Sequence, residues 1–376
     1  MAPAVRQAMN EAFDIYANPG GIHSGSQLGE SLFESARSRV AVSLGVQERE
    51  VIFTSGATES IAIAIWGVIL AAPDSRSKVL VSSIEHAAVI ETARAACKIS
   101  GRQLVLIPAN TRDDSLFGEV DLEFIEDQLD SKTALIAVMA VNNETGIIQP
   151  IASVSNLASQ IDVPFLCDAT QAVGKWTDFL TIANRGIFLA SGHKIYGPKG
   201  TGVLVMPPEI QRSFFSISPG GGQERGIRGG TLNVAGAVGF ASAIEFANTG
   251  LASEMTRQGG LSSQLASGLI APFGDSVQIN AGISTLVVPN TLNLRFVGAE
   301  ANAVLASLNT VQASRASACS AGVEEPSHVL IAMGMSQSES EESIRLSLGR
   351  FTSAEDIDVA ISDLTAAVSR VREFND

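Results

Sequence analysis

Residues 51–70 read VIFTSGATESIAIAIWGVIL. Val51–Thr54 is a short apolar run rich in β-branched and aromatic residues and reads as a strand. Ser55 and Gly56 interrupt it, and Ala57–Leu70 reads as a helix. The same alternation continues outward. Lys78–Ser83 reads as a strand and Ala87–Ile99 as a helix, and strands follow at Gln103–Ile107, Ala134–Val141, Pro164–Cys167, Phe188–Ala190 and Gly202–Met206. Several of these runs are apolar throughout, as parallel strands covered on both faces must be. The pattern predicts a doubly wound, mostly parallel α/β domain. After about residue 250 the texture changes. Thr291–Arg295, Ser343–Leu348 and a helix over Ala354–Arg372 predict a smaller α+β unit. The expected division is a large domain over residues 13–250 and a small domain made of residues 1–12 and 251–376.

Bulk properties narrow the function. A chain of 376 residues suggests two domains, or one large domain with an appendage. A hydrophobic fraction of 45% with 17% charged residues fits a globular protein, and 5% aromatics means a mostly aliphatic core. The net charge of −14 and the absence of a basic stripe argue against direct nucleic-acid binding. The acidity reads as solubility. No run of about 18 or more apolar residues occurs, so no membrane-spanning helix is expected, and the first residues lack the apolar core of a signal peptide. Three cysteines, Cys97, Cys167 and Cys319, are too few and scattered for a disulfide framework or a zinc cluster. A reducing, cytoplasmic setting is expected, where a lone cysteine is a candidate reactive thiol.

Four stretches carry chemistry. Ser55-Gly56-Ala57-Thr58-Glu59-Ser60 lies where a strand passes into a helix, and free N–H groups there favour an anion. A plain helix cap explains it equally well. Asp168-Ala169-Thr170-Gln171 follows an apolar strand, the place where ligands bind in open α/β sheets. Asp168 is either a ligand group or a turn residue. In Ser191-Gly192-His193-Lys194-Ile195-Tyr196-Gly197-Pro198-Lys199-Gly200 a lysine stands at a strand end between glycine, histidine and apolar residues. A partly desolvated lysine of lowered pKa can form a Schiff base with an aldehyde. Gly220-Gly221-Gly222-Gln223-Glu224-Arg225-Gly226, followed by Arg228-Gly229-Gly230-Thr231, offers a second phosphate-compatible backbone. No Gly-x-Gly-x-x-Gly turn follows the first strand, which sets aside a dinucleotide-binding reading.

Together with Asn142-Asn143-Glu144-Thr145-Gly146, these blocks resemble the cysteine desulfurases, fold-type-I pyridoxal-phosphate (PLP) enzymes of the class V aminotransferase group. The order and spacing agree from about Asn18 to the C-terminus. The resemblance implies that Lys194 carries PLP, that Asp168 pairs with the ring nitrogen, and that Gln171 contacts the ring hydroxyl. It implies that His86 stacks on the ring and shuttles protons; a surface histidine at a helix start is the plainer reading. Ala57, Thr58, Ser191 and His193 are expected to bind the phosphate, with Thr231 reaching it from the second subunit of a homodimer. Asn143 is expected beside the substrate.

Ala316-Ser317-Ala318-Cys319-Ser320-Ala321 resembles the family's cysteine loop, in its longer and mobile version. The resemblance makes Cys319 the residue that takes sulfur from L-cysteine as a persulfide, releasing L-alanine. A transaminase has no need of this cysteine. Cys167, inside an apolar run, and Cys97, on a helix, read as structural. Arg345, in Ser343–Phe351, is expected to clamp the substrate carboxylate, with Arg350 as its structural neighbour. The implied partner is a sulfur acceptor: an iron–sulfur scaffold, a tRNA-thiolation protein or a DNA-phosphorothioation component. Two departures stand out. The family's opening Leu-Asp-x-Ala-Ala-Thr-Thr-Pro segment is missing, so a truncated form or a more open site is expected. Gly229 replaces a common serine.

Overall fold

The computed structural model describes residues 1–179, 186–282, 284–315 and 325–375. They form two compact units. The first draws on Met1–Ile107, Leu122–Ala140 and Pro150–Leu251, and the second on Pro108–Asp121, Val141–Gln149 and the described residues from Ala252 onward.

The first unit contains strands β1 (Val51–Thr54), β2 (Lys78–Ser82), β3 (Gln103–Ile107), β4 (Thr133–Ala137), β5 (Phe165–Asp168), β6 (Ile187–Ser191) and β7 (Gly202–Val205). They make one sheet in the order β1-β7-β6-β5-β4-β2-β3. Strands β2 to β6 pair in parallel, while β7 is antiparallel to both β6 and β1. β1 therefore points the same way as β6, and every strand except β7 ends at one edge of the sheet. The doubly wound, mostly parallel domain expected from the sequence is the fold observed. Helices α1 (Pro3–Phe13), α2 (Ser24–Leu44), α3 (Ala57–Ala71), α4 (Ala87–Ser100), α5 (Leu122–Gln128), α6 (Ile151–Gln160), α7 (Pro208–Arg212) and α8 (Val234–Asn248) accompany it.

Pleating sends alternate strand residues to opposite faces. On one face Ile52, Val79, Val81, Leu135, Leu166 and Leu189 join Ile61, Ile65 and Ile69 of α3 and Val89 and Ala93 of α4 in a single apolar cluster. Each large aliphatic side chain so buried contributes about 1.5–3 kcal/mol. On the other face the Phe53 ring lies 5.0 Å from Phe33 of α2 and 6.4 Å from Phe240 of α8. Strand β4 is shorter than the expected Ala134–Val141. Val138 and Ala140 still donate to the Leu166 and Asp168 carbonyls, at 3.0 and 2.9 Å, but Val141 pairs with Ile148 instead. The apolar run continues past the point where the strand ends.

Two domain boundaries need correction. Residues 1–12, expected in the small domain, belong to the first unit. The Ala2 N–H donates to the Tyr196 carbonyl at 2.9 Å, and α1 packs along α8. Residues 108–121 and 141–149, expected in the large domain, belong to the second unit. The Ile148 N–H donates to Leu286 O at 2.8 Å and the Val288 N–H to Gly146 O at 2.9 Å. Gln149 Oε1 accepts from the Val120 N–H at 2.9 Å. These bonds join segments far apart in sequence, which local patterning does not reveal.

The second unit is built on an antiparallel sheet of β8 (Val277–Ile279), β9 (Thr291–Phe296), β10 (Ser314–Arg315) and β11 (Ser343–Ser347), in the order β10-β11-β9-β8. Of its helices, α9 (Leu251–Phe273), α10 (Ala301–Ala306), α11 (His328–Ala332), α12 (Gln337–Glu341) and α13 (Ala354–Asn375), the two long ones supply most of the cover. Leu265 and Leu269 of α9 and Ile357, Leu364 and Val368 of α13 bury Leu294, Phe296, Ile344 and Leu346. This is the α+β unit expected after residue 250.

Candidate active site

The edge where β1, β2, β5 and β6 end gathers the candidate residues of the first unit. After β1, Gly56 caps α3 with φ +151° and gives no side-chain cap. The first intrahelical bond is Ser60 N–H to Gly56 O at 3.1 Å, so the N–H groups before it have no acceptor within the helix. Thr54 pairs with Gly202 of β7, and Gly202 pairs with Ser191 of β6. A Cβ on Gly202 would fall 2.6 Å from the Gly56 Cα, so only glycine lets the α3 turn settle over this edge. A Cβ on Gly56 would be 3.9 Å from Ser191 Oγ. The buried Ser191 hydroxyl shares a 2.8 Å hydrogen bond with His193 Nδ1. Partial burial, then Lys194, Lys199 and Lys175, hold the His193 imidazole below its usual pKa and favour its neutral form. Ala57 is half-buried and Thr58 exposed at the head of α3. A helix N-terminus, a serine and a neutral histidine make a set fitted to a phosphate.

Lys194 lies in the 3₁₀ turn Gly192–Ile195 directly after β6. The turn is closed by Gly192 N–H to Thr201 O at 2.9 Å and Gly197 N–H to Gly192 O at 2.8 Å. The expected partial desolvation of Lys194 is not observed, because the residue is exposed at the sheet edge. The tight turn seats its neighbours Gly192 and Ile195 in the core and turns this residue outward. Asp168 ends β5 and is buried, with Oδ1 accepting the Thr170 N–H at 2.9 Å. Thr170 Oγ1 is buried and has no hydrogen-bond partner among the described residues. That unsatisfied hydroxyl, two residues from a buried carboxyl at the end of β5, fits a polar aromatic cofactor such as PLP. Gln171 is half-buried and its Oε1 accepts from Lys175 Nζ. His86 caps α4 just after β2, with Nδ1 accepting the Ala88 N–H at 3.1 Å, and is half-buried, unlike a solvated surface histidine. Thr231 is exposed on the stretch that leads into α8.

Asn143 and Arg345 meet in the second unit. Arg345 Nη1 donates to Asn143 O at 2.8 Å and Nη2 to Ser314 Oγ at 2.9 Å, on the residue paired with it across β10 and β11. Arg345 Nε and Asn143 Oδ1 are both buried and have no hydrogen-bond partner among the described residues. No ion pair of Arg345 occurs among the described residues. An unpaired buried guanidinium N–H is costly unless a ligand meets it, and a carboxylate does so best. The neighbouring Arg350 offers its carbonyl to Arg257 Nη2 at 3.3 Å, in keeping with a structural role.

Comparison with known proteins decides the family. The aminotransferase class-V family model matches residues 1–359. A cysteine desulfurase of Frankia sp. (strain EuIK1) is 39% identical over 99% of this chain and 90% of its own length. The solved structure of a NifS-like protein superposes with a TM-score of 0.87 at 30% identity, covering 98% of this chain and 96% of that one. A structure titled SspA in complex with cysteine superposes with a TM-score of 0.77 at 30% identity, covering 94% and 97%. The chain belongs to the cysteine desulfurases.

This member of the class-V aminotransferase family carries Lys194, Asp168, His86 and the start of α3 at the edge of the large sheet where β6, β5, β2 and β1 end. Cys319, assigned from sequence as the sulfur-accepting residue of this desulfurase, lies outside the described residues. Cys167 and Cys97 fit the structural reading. Burial, then Glu85 and Asp168, push the Cys167 thiol well up, and burial pushes Cys97 up to about 11. Sequence reasoning gave no role to four residues near the candidate cofactor residues. Glu85 is fully buried beside Asp168 and accepts the Met139 N–H. Glu59 and Arg228 pair across 3.0 Å. Thr170 was read only as part of the Asp168 motif. A carboxylate in a turn reads as solvated, and nothing in Ser83-Ile84-Glu85-His86 marks it as buried.

Proposed function

We propose that this chain is a PLP-dependent cysteine desulfurase that converts L-cysteine to L-alanine and passes the sulfur through Cys319 to an acceptor protein. The observation that carries the reading is the placement of Lys194, Asp168 and an anion-binding helix start at one edge of the large sheet in a member of the cysteine desulfurases. Lys194 is the amine that would bond the cofactor. The Ala57 and Thr58 N–H groups, the Thr58 and Ser191 hydroxyls and His193 would bind its phosphate. Asp168 would keep a proton on the ring nitrogen, Gln171 would meet the ring hydroxyl, and His86 would cover the ring. When bound, PLP supplies an electron sink that eases loss of the substrate Cα proton.

Arg345 would hold the substrate carboxylate, with Asn143 beside the substrate. His86 accepts the Ala88 N–H through Nδ1, so Nε2 is the atom through which it would move a proton. The Cys319 thiolate takes the sulfur: the Cβ–Sγ bond of cysteine breaks, an S–S bond forms on Cys319, and the carbon skeleton leaves as alanine. Thiolate is the nucleophilic form, so the Cys319 proton must be removed first. The relative solved in complex with cysteine supports cysteine as the substrate class. We further propose a cytoplasmic homodimer in which Thr231 serves the partner subunit's phosphate site, and a protein acceptor in place of direct DNA contact, given the net charge of −14.

The test pairs two variants. Lys194→Ala is expected to lose the long-wavelength absorbance of bound PLP. Cys319→Ser is expected to keep that absorbance and release no sulfide from cysteine in the presence of a thiol reductant. Undiminished sulfide release by Cys319→Ser would remove Cys319 from the mechanism, and unchanged absorbance in Lys194→Ala would remove the cofactor assignment.

A further inference from the structure

We propose that Glu59 and Arg228 are a positioning pair for the anion-binding turn, in which Arg228 offsets the charge that Glu59 would otherwise present to a bound phosphate. This rests on the PLP reading above and extends it to two residues to which no role has been given.

Glu59 lies in the first turn of α3, where the helix offers its N–H groups to an anion. Its carboxylate turns back on that same end: one oxygen accepts the Ser55 N–H and the other accepts Arg228 Nε–H at 3.0 Å. Burial disfavours the charge on Glu59, yet the Ser55 and Arg228 bonds outweigh it and hold this carboxyl below its usual pKa. Glu59 is therefore ionised in the neutral range, beside the place where a phosphate would bind. A fixed negative charge repels a phosphate unless a cation accompanies it. Arg228 is that cation, and both partners are largely shielded from solvent.

The glycine-rich loop holds Arg228 in place. Ser218 and Arg228 form a bridge, with the Gly229 N–H donating to Ser218 O at 2.8 Å. A Cβ on Gly229 would fall 2.8 Å from the Gly220 Cα, so the loop closes on itself at two glycines. Farther along, the buried Glu224 receives Arg37 Nη1 and Nη2 at 2.9 and 2.8 Å and the Phe53 N–H of β1 at 3.1 Å. Arg37 Nη1 and Arg225 Nη2 both donate to Val51 O at 2.6 Å. β1 is an edge strand, and these side chains satisfy the backbone groups that no neighbouring strand reaches. Glu224 and Arg225 adopt φ values of +45° and +56° to do so. Such strain persists where the surroundings impose it, often near functional sites. The loop is thus fastened to β1, the strand that leads into the anion-binding turn, and from there it presents Arg228 to Glu59.

The test separates the phosphate from the rest of the cofactor. The full chain, freed of cofactor by dialysis, is titrated with PLP and, separately, with pyridoxal, which has the aldehyde and ring but no phosphate. Arg228→Gln is expected to raise the Kd for PLP about fivefold and to leave that for pyridoxal within about twofold. Glu59→Gln, which keeps an oxygen for the Ser55 N–H, is expected to bind PLP as well as the parent or better. The double variant Glu59→Gln/Arg228→Gln is expected to return to within about twofold of the parent. Equal weakening for both ligands would show that Arg228 is only structural. A double variant as weak as Arg228→Gln would show that the Glu59 charge is not what Arg228 offsets. If the parent chain bound neither ligand, the PLP reading itself would fall, a result distinct from both.

Discussion

Glu85 stands where a charge is hardest to keep. Burial is the largest force on its carboxyl and Asp168 the next, and both push its pKa well above the ordinary value, against the opposing Met139 N–H bond. A carboxyl whose folded pKa is raised binds its proton more tightly in the folded chain than in the unfolded one. Its contribution is therefore intact below the unfolded pKa of 4.5 and is progressively lost as pH rises from there toward the folded value. Glu85→Gln keeps an oxygen for the Met139 N–H and has nothing to ionise. The difference in Tm between Glu85→Gln and the parent, both without cofactor, is expected to shift in favour of the variant between pH 5 and pH 8. A difference that stays flat over that interval would mean that Glu85 titrates as in solvent. Residues of this kind were the least legible in the sequence. Lys194 and Asp168 stood out because an isolated charge at the end of an apolar strand is conspicuous. Glu85 sits in a turn and Glu59 at the start of a helix, where a carboxylate looks ordinary until the fold closes around it. Lys194 erred the other way: its neighbours suggested a desolvated amine, and the turn leaves it exposed.

At the level of elements, the anion-binding turn depends on three adjacent strands. β1 delivers Gly56, β6 delivers Ser191, and β7 lies between them with Gly202 at the level of both. The sequence announced β1, the following turn and α3 almost to the residue, because a β-branched run, a glycine and a long apolar stretch each carry their own signal. It gave no hint that Gly202, on a different strand, is what allows that turn to settle. Non-local contacts of this kind arise from strand order, and strand order is not written in local periodicity. Gly202→Ala places a methyl 2.6 Å from the Gly56 Cα and 2.9 Å from Ala190 O, and both are backbone atoms. The turn must shift. We expect a loss of about 1–3 kcal/mol in stability, read by chemical denaturation, with PLP binding weakened at least about tenfold. Unchanged cofactor affinity in a destabilised Gly202→Ala protein would mean that the turn position does not govern phosphate binding.

Across the whole molecule, the two units divide the assigned work. The first holds Lys194, Asp168 and the residues proposed to bind phosphate around its own aliphatic core. The second holds Arg345 and Asn143 around another. The sequence indicated both units from the change in texture near residue 250. It misplaced residues 141–149, bonded to Leu286 and Val288, residues 108–121, whose Phe117 carbonyl accepts from Thr285 Oγ1, and α1, which docks on α8. The correction matters for function, because it moves Asn143 into the unit that carries Arg345. Within that unit the Arg345 fork is held by the Asn143 carbonyl and the Ser314 hydroxyl, with Nε buried and without a partner among the described residues. A guanidinium held this way suits a carboxylate, and both of the bonds that hold it lie within the second unit. Arg345→Ala is therefore expected to keep the PLP absorbance of the parent. Loss of a charge-assisted bidentate contact costs about 1.5–3 kcal/mol or more, so the KM for cysteine should rise at least about tenfold. Alanine release measured against cysteine concentration, beside a spectrum of the resting protein, reads both quantities at once. Arg345→Ala protein that emerged colourless would show that cofactor retention also depends on the second unit, and the division of work drawn here would be wrong.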